Sequence, residues 1–129
     1  MSHIVIVKAQ FKDLAVLKAA FDAFDWKTIQ NSTIRTYSPE ERKVVYDNVA
    51  LNPTGKYDIG IVYKDNVYNL AVDHYDASIS RQLGDKHGEL AKLKRKYAQT
   101  LIEQEYEEQG YTTQTTVLPN GALKISILN

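Results

Sequence analysis

The stretch IGIVYKDNVYNLAV, residues 59–72, decides the fold. A two-residue turn at Asp65-Asn66 folds it into a hairpin, since Asp and Asn tolerate the left-handed backbone that such turns need. Tyr63 then faces Tyr68, Ile61 faces Leu70 and Ile59 faces Val72, with all six on one side. Gly60, Val62, Asn69 and Ala71 fall on the other. Side chains alternate along a strand, so a one-residue slip would mix the two sets; the pattern therefore fixes the register. The first face is core. The second is small and mixed, so it is either half-solvated or covered by something that approaches closely.

Outward toward the N-terminus, residues 4–8 are short, β-branched and apolar, the pattern of a buried strand. Asp13 offers an N-cap, after which Leu14, Leu17, Ala20, Phe21 and Phe24 share one helical stripe. Residues 33–37 and 43–47 read as two strands around the turn Ser38-Pro39-Glu40-Glu41. Residues 51–56 form a loop marked by Asn52-Pro53 and Thr54-Gly55.

Toward the C-terminus, residues 89–109 form a long helix that turns Leu90, Leu93, Tyr97, Leu101 and Ile102 inward and ends at Gly110. A last hairpin follows. A three-residue loop, Pro119-Asn120-Gly121, with Gly121 left-handed, pairs Val117 with Leu123, Thr115 with Ile125 and Thr113 with Ile127. The expected architecture is one α+β domain over residues 1–129. It is an antiparallel sheet of about six to seven strands with two helices packed on one face, in the order β-α-β-β-β-β-α-β-β.

Composition narrows the function. A chain of 129 residues buries enough surface to need no staple, and it has no cysteine, which excludes disulfide scaffolds, thiolate chemistry and cysteine-ligated metals. Sixteen basic residues balance sixteen acidic ones, so the phosphate-neutralising excess of a nucleic-acid binder is missing. The apolar run at residues 4–7 is too short for a signal peptide, and no stretch approaches the ~20 apolar residues of a membrane span. The expectation is a soluble cytoplasmic protein, and Asn31-Ser32-Thr33 matches the glycosylation pattern by chance.

Catalytic motifs are sparse. Gly55-Lys56 lacks the upstream Gly and the following Ser or Thr of a phosphate loop, and neither Gly-x-Ser-x-Gly nor Gly-x-Gly-x-x-Gly occurs. His3, His74 and His87 are scattered, so no metal and no cofactor are expected. Asp73-His74-Tyr75-Asp76 gathers polar side chains at a strand end, but Asp73 and His74 would point to opposite faces of a continuing strand. Nine tyrosines against three phenylalanines suit strands, interfaces and pocket rims.

The long helix carries Lys92, Lys94, Arg95 and Lys96 in its first half and Glu103, Glu105, Glu107 and Glu108 in its last turns. This reverses what the helix dipole favours, so helix stability did not select it. It is either a solvated face with salt bridges to strands or a bipolar surface for antiparallel self-association.

Several residues carry a resemblance: Met1-Ser2-His3, the run Tyr57-Asp58-Ile59-Gly60, Tyr68, Lys96-Tyr97-Ala98, Gln109-Gly110-Tyr111 and Asn120-Gly121. In order and spacing the chain resembles the conserved hypothetical chloroplast reading-frame thirty-five proteins, a family of unknown function found in algal plastids, cyanobacteria, other bacteria and cyanobacterial viruses. The resemblance implies a cytoplasmic or stromal protein (host cytoplasm if virus-encoded) and supplies no catalytic residues. Residues 29–56 and 75–88 depart from the family pattern. Some members continue past the position of Asp73 with a tryptophan-containing segment, where this chain has His74-Tyr75-Asp76.

The expected function is a non-enzymatic binding or adaptor module acting through self-association or a protein partner. The alternative is a small-ligand binder or enzyme with a site near Asp58, Asp73 and His74. Candidate binding residues are Tyr57, Asp58, Gly60, Tyr68, Ala71, Asp73 and His74. Self-association is expected through the Gly60/Ala71 face, which two helices on the opposite side would leave bare.

Overall fold

The computed structural model describes residues 4–84, 90–120 and 122–128. Strands β1 (Ile4–Phe11), β2 (Lys27–Ser32), β3 (Tyr46–Leu51), β4 (Ile59–Lys64) and β5 (Val67–Asp73) form an antiparallel sheet in the order β1-β5-β4-β3-β2. The β4–β5 hairpin has the expected register, with Tyr63 opposite Tyr68 and Ile61 opposite Leu70. Its turn residues are left-handed, with φ of 56° at Asp65 and 65° at Asn66. Ile59, Ile61, Leu70 and Val72 are buried in the main core. The apolar face runs out at the turn: the Tyr63 and Tyr68 rings lie 4.7 Å apart, but Tyr63 is 57% exposed.

Helices α1 (Leu14–Asp22), α2 (Ala77–Leu83) and α3 (Ala91–Glu108) contribute to that same core through Leu17 and Phe21, Ile79 and Leu83, and Leu93 and Tyr97. Asp13 caps α1 as its sequence implies, accepting a hydrogen bond from Val16 N. Tyr97 fastens α3 to the start of α1: its ring meets Phe11 edge-on at 4.8 Å, and its hydroxyl accepts the backbone N–H groups of Lys12 and Asp13.

The expected single sheet of six to seven strands is corrected. Strands β6 (Thr113–Val117) and β7 (Leu123–Ile127) form a separate two-stranded sheet, in the register the three-residue loop required. The reason is reach. Helix α3 is about 27 Å long, and its buried residues, Leu93 and Tyr97, lie in its first half. A hairpin following its far end therefore stands away from the main sheet and docks on α3 through Thr115, which donates to Glu103, and through Tyr111 against Tyr106. Ile102 faces outward, 39% exposed, instead of inward. A third helix, α2, makes the element order β-α-β-β-β-β-α-α-β-β. His3, His87, Glu89 and Gly121 lie outside the described residues.

The strands expected at 33–37 and 43–47 are also corrected. β2 precedes the first, β3 begins within the second, and residues 33–45 hold only a 3-10 turn at Glu41–Lys43. The sequence KTIQNS of β2 lacks apolar alternation because it is an edge strand with mostly solvent-facing side chains. Residues 33–46 form a strap. Ile34 is buried outside the helix-side core, Thr36 reaches Asp73, and the Tyr46 ring fills the place where a Cβ on Gly60 would sit. The Gly60/Ala71 face is thus buried by this chain's own residues, and Ala71 has no exposure at all. The premise that helices on the other side leave it bare is overturned.

Candidate functional site

The polar residues that matter gather where the loop between β3 and β4 meets α2. Asn52 is the node. Its side chain donates to the Tyr57 carbonyl at 3.0 Å and to Ser78 Oγ at 2.9 Å, and accepts from Thr54 N, Gly55 N and Gln82 Nε2. Gln82 in turn accepts the Trp26 indole N–H at 3.1 Å. Asp58, 2% exposed, accepts from Asn52 N, Arg35 N and the Arg35 guanidinium, whose Nη2 lies 2.7 Å away. That hydrogen bond to Asp58 holds the Arg35 pKa above its usual value, against burial, with further help from the charges of Asp58 and Asp76.

Asp76 caps α2 and clips the loop. It accepts from Ser78 N, Tyr57 N and Lys56 N. Burial pushes its carboxyl pKa up, but the hydrogen bonds from Tyr57, Ser78 and Lys56 together outweigh burial and hold it below the usual carboxylate value. Beside it lies a cleft of about 280 Å³ lined by Lys56, Tyr57, Tyr75, Asp76, Ser78 and Arg81, among others.

The seven residues singled out in the sequence do not converge on one site. Tyr57 lines the cleft and packs on the core. Asp58 is locked in its ion pair. Gly60 and Ala71 lie buried in the sheet, and Tyr68 sits beside Tyr63. Asp73, 1% exposed, accepts from Thr36 Oγ1 and Tyr75 N, both at 3.1 Å. His74 is half-buried, and its Nδ1 is buried without a hydrogen-bond partner. Burial lowers the His74 pKa despite the opposing charge of Asp73. Among the described residues no three His, Cys, Asp or Glu side chains converge as metal ligands.

Sequence reasoning missed Arg35, Asn52, Ser78 and Gln82, and noted Asp76 only as part of a polar strand end. The signal for α2 was present: Asp76 as N-cap, then Ile79 and Leu83 one helical turn apart. Arg35 had no such signal, because it meets Asp58 across 23 residues of chain. Chemically, the node is a latch. Each carboxylate in it already accepts several internal hydrogen bonds, an arrangement that orders the loop.

A family described as "Protein of unknown function (DUF1257)" matches residues 22–125. The "Uncharacterized protein ycf35" of Guillardia theta is 26% identical over 130 residues, spanning 98% of this chain and 96% of that protein. No solved structure matches the chain. Among the described residues no helix is long and apolar enough to cross a membrane.

Proposed function

We infer, for a chain that belongs to the DUF1257 family of proteins of unknown function, that its role is non-enzymatic: a binding module that engages protein through the arm formed by α3 and the β6–β7 hairpin. The observation that carries this reading is the state of the hairpin. Among its described residues none is buried, while Val117, Leu118, Ile127 and Leu128 are exposed, Val117 to 65%. A two-stranded hairpin alone in water is marginal, and α3 covers only part of this one. Apolar side chains on both strand ends are the surface a partner would bury. The several internal hydrogen bonds that Asp58 and Asp76 each accept support a structural role for the polar node.

A photo-crosslinking residue placed singly at Val117, Ile127 or, as control, Ala19 on the exposed side of α1 tests this reading in cells that make the full chain. Adducts should concentrate at Val117 and Ile127. Adducts spread equally over all three positions, or absent from the arm, would discard it.

A further inference from the structure

On the side of α3 not covered by α1 or the hairpin, Ala91, Arg95, Ala98, Ile102 and Glu105 recur at spacings of four and three residues. That spacing keeps them on one stripe, the geometry of a helix–helix seam. Arg95, Ala98, Ile102 and Glu105 are all exposed. The stripe is self-complementary in reverse. Turned about a two-fold axis near residue 100, Arg95 of one helix meets Glu105 of the other, and small Ala98 meets large Ile102. Lys94 flanks the stripe, about 100° round the helix from Arg95, and adds a cation at its edge. Among the described residues Arg95 and Glu105 form no ion pair within the chain.

We propose that α3 pairs antiparallel with α3 of a second copy of this chain, with Ala98 and Ile102 at the centre and Arg95–Glu105 contacts at both ends. This goes beyond the hairpin reading: it uses a different face of the same arm and commits to a second copy as its occupant. The charge layout that the helix dipole disfavours then has a purpose. Basic first half and acidic second half attract in the two-fold antiparallel arrangement and repel in the parallel one. Ala98 lets the two backbones approach closely, and Ile102 supplies apolar burial on each side of the axis. The flanking charges set orientation more than affinity. A seam of three to four turns is small, so the dimer is weak, with a dissociation constant on the order of 10–100 µM.

Sedimentation velocity of the full chain from about 1 to 500 µM reads this. The parent chain should shift from one to two copies across that range. Ile102→Asp, an exposed position that leaves the fold intact, should weaken association at least about ten-fold. Glu105→Arg makes the stripe wholly basic, and Lys94→Glu with Arg95→Glu makes it wholly acidic. Each variant alone should stay monomeric, and an equimolar mixture should form a heterodimer at least as tight as the parent. A parent that stays monomeric throughout overturns the pairing. So does a dimer indifferent to Ile102→Asp, or a mixture that does not associate. The crosslinking at Val117 and Ile127 is read separately, so the pairing can fail while the module reading stands.

Discussion

Replacing Asn52 with Ala should unfasten the latch that joins the β3–β4 loop to α2. Asn52 is 5% exposed, and its side chain makes five hydrogen bonds between 2.8 and 3.1 Å. Two of the lost partners, Thr54 N and Gly55 N, sit on a loop where water can replace the amide oxygen. The Tyr57 carbonyl and the Ser78–Gln82 pair are less accessible. Gln82 Nε2 keeps its bond to the Ser78 carbonyl, so the deficit is about two buried groups. At ~1–3 kcal/mol for each group left unsatisfied, the loss is ~3 kcal/mol. Urea denaturation followed by Trp26 emission measures it. Trp26 is the chain's single tryptophan, fully buried and bonded to Gln82, so it reports on the latch itself. With a urea slope of ~1–3 kcal/mol/M, the midpoint should fall by roughly 1–3 M. Asn52→Asp sharpens the test. It keeps the acceptor for Thr54, Gly55 and Gln82 but turns a second oxygen toward the Tyr57 carbonyl and the Asp76 carboxylate, 3.5 Å from the present Nδ2. This variant should be at least as unstable as the Ala variant at neutral pH and recover as the new carboxyl protonates. A loss below about 1 kcal/mol for Ala, or an Asp variant as stable as the parent at pH 7, would refute the latch.

Gly55→Ala should cost more than Gly60→Ala in the same assay. A Cβ at 55 would lie 1.9 Å from Ser78 Oγ and 2.3 Å from Asn52 Nδ2, both fixed by the latch, whereas one at 60 meets only the Tyr46 ring, at 2.7 Å; we expect ~3 and ~1–2 kcal/mol respectively. Asn66→Gly should stabilise the chain by a few tenths to ~1 kcal/mol, because Asn66 sits at φ 65° in a turn that favours Gly there; a lowered midpoint would contradict the turn assignment. His74 has a pKa lowered from 6.5 in the folded chain, so the unfolded chain binds its proton more readily. Its contribution is therefore complete above 6.5 and is lost as the pH falls below that value. Urea midpoints from pH 7.5 to 5 should decline, and His74→Gln should flatten part of the decline.

The central hairpin was legible because its evidence is local. Six apolar side chains and a two-residue turn agree on one register, and no distant residue is needed to choose it. The C-terminal hairpin was legible for the same reason, through Asn120 and the pairing of Val117 with Leu123. Edge strand β2 was not, since KTIQNS owes its place to backbone pairing with β3 and leaves no apolar signature. The latch was hidden more deeply. Asn52, Ser78 and Gln82 are ordinary loop and helix residues in the sequence, and only the fold brings 52 to within 2.9 Å of both 78 and 82.

The Gly60/Ala71 face carries the sharper lesson about inferring partners. Gly opposite Ala on a strand pair does mean that something comes close, and the sequence reading of close approach was sound. What it could not give was ownership of the approaching group. The Tyr46 ring over Gly60 and the Thr36 hydroxyl on Asp73 come from the strap, whose β-branched residues mimic a strand. The α3 stripe differs in kind. Its exposure is a property of the folded chain, and its complementarity is to its own reverse, Arg95 to Glu105 and Ala98 to Ile102. A small-residue face is satisfied by any close neighbour, including one from the same chain. A pattern complementary to its own reverse on one helix has its matching partner in a second copy of that helix. That is why the proposed pairing is placed on the α3 stripe, and no longer on the hairpin's second face.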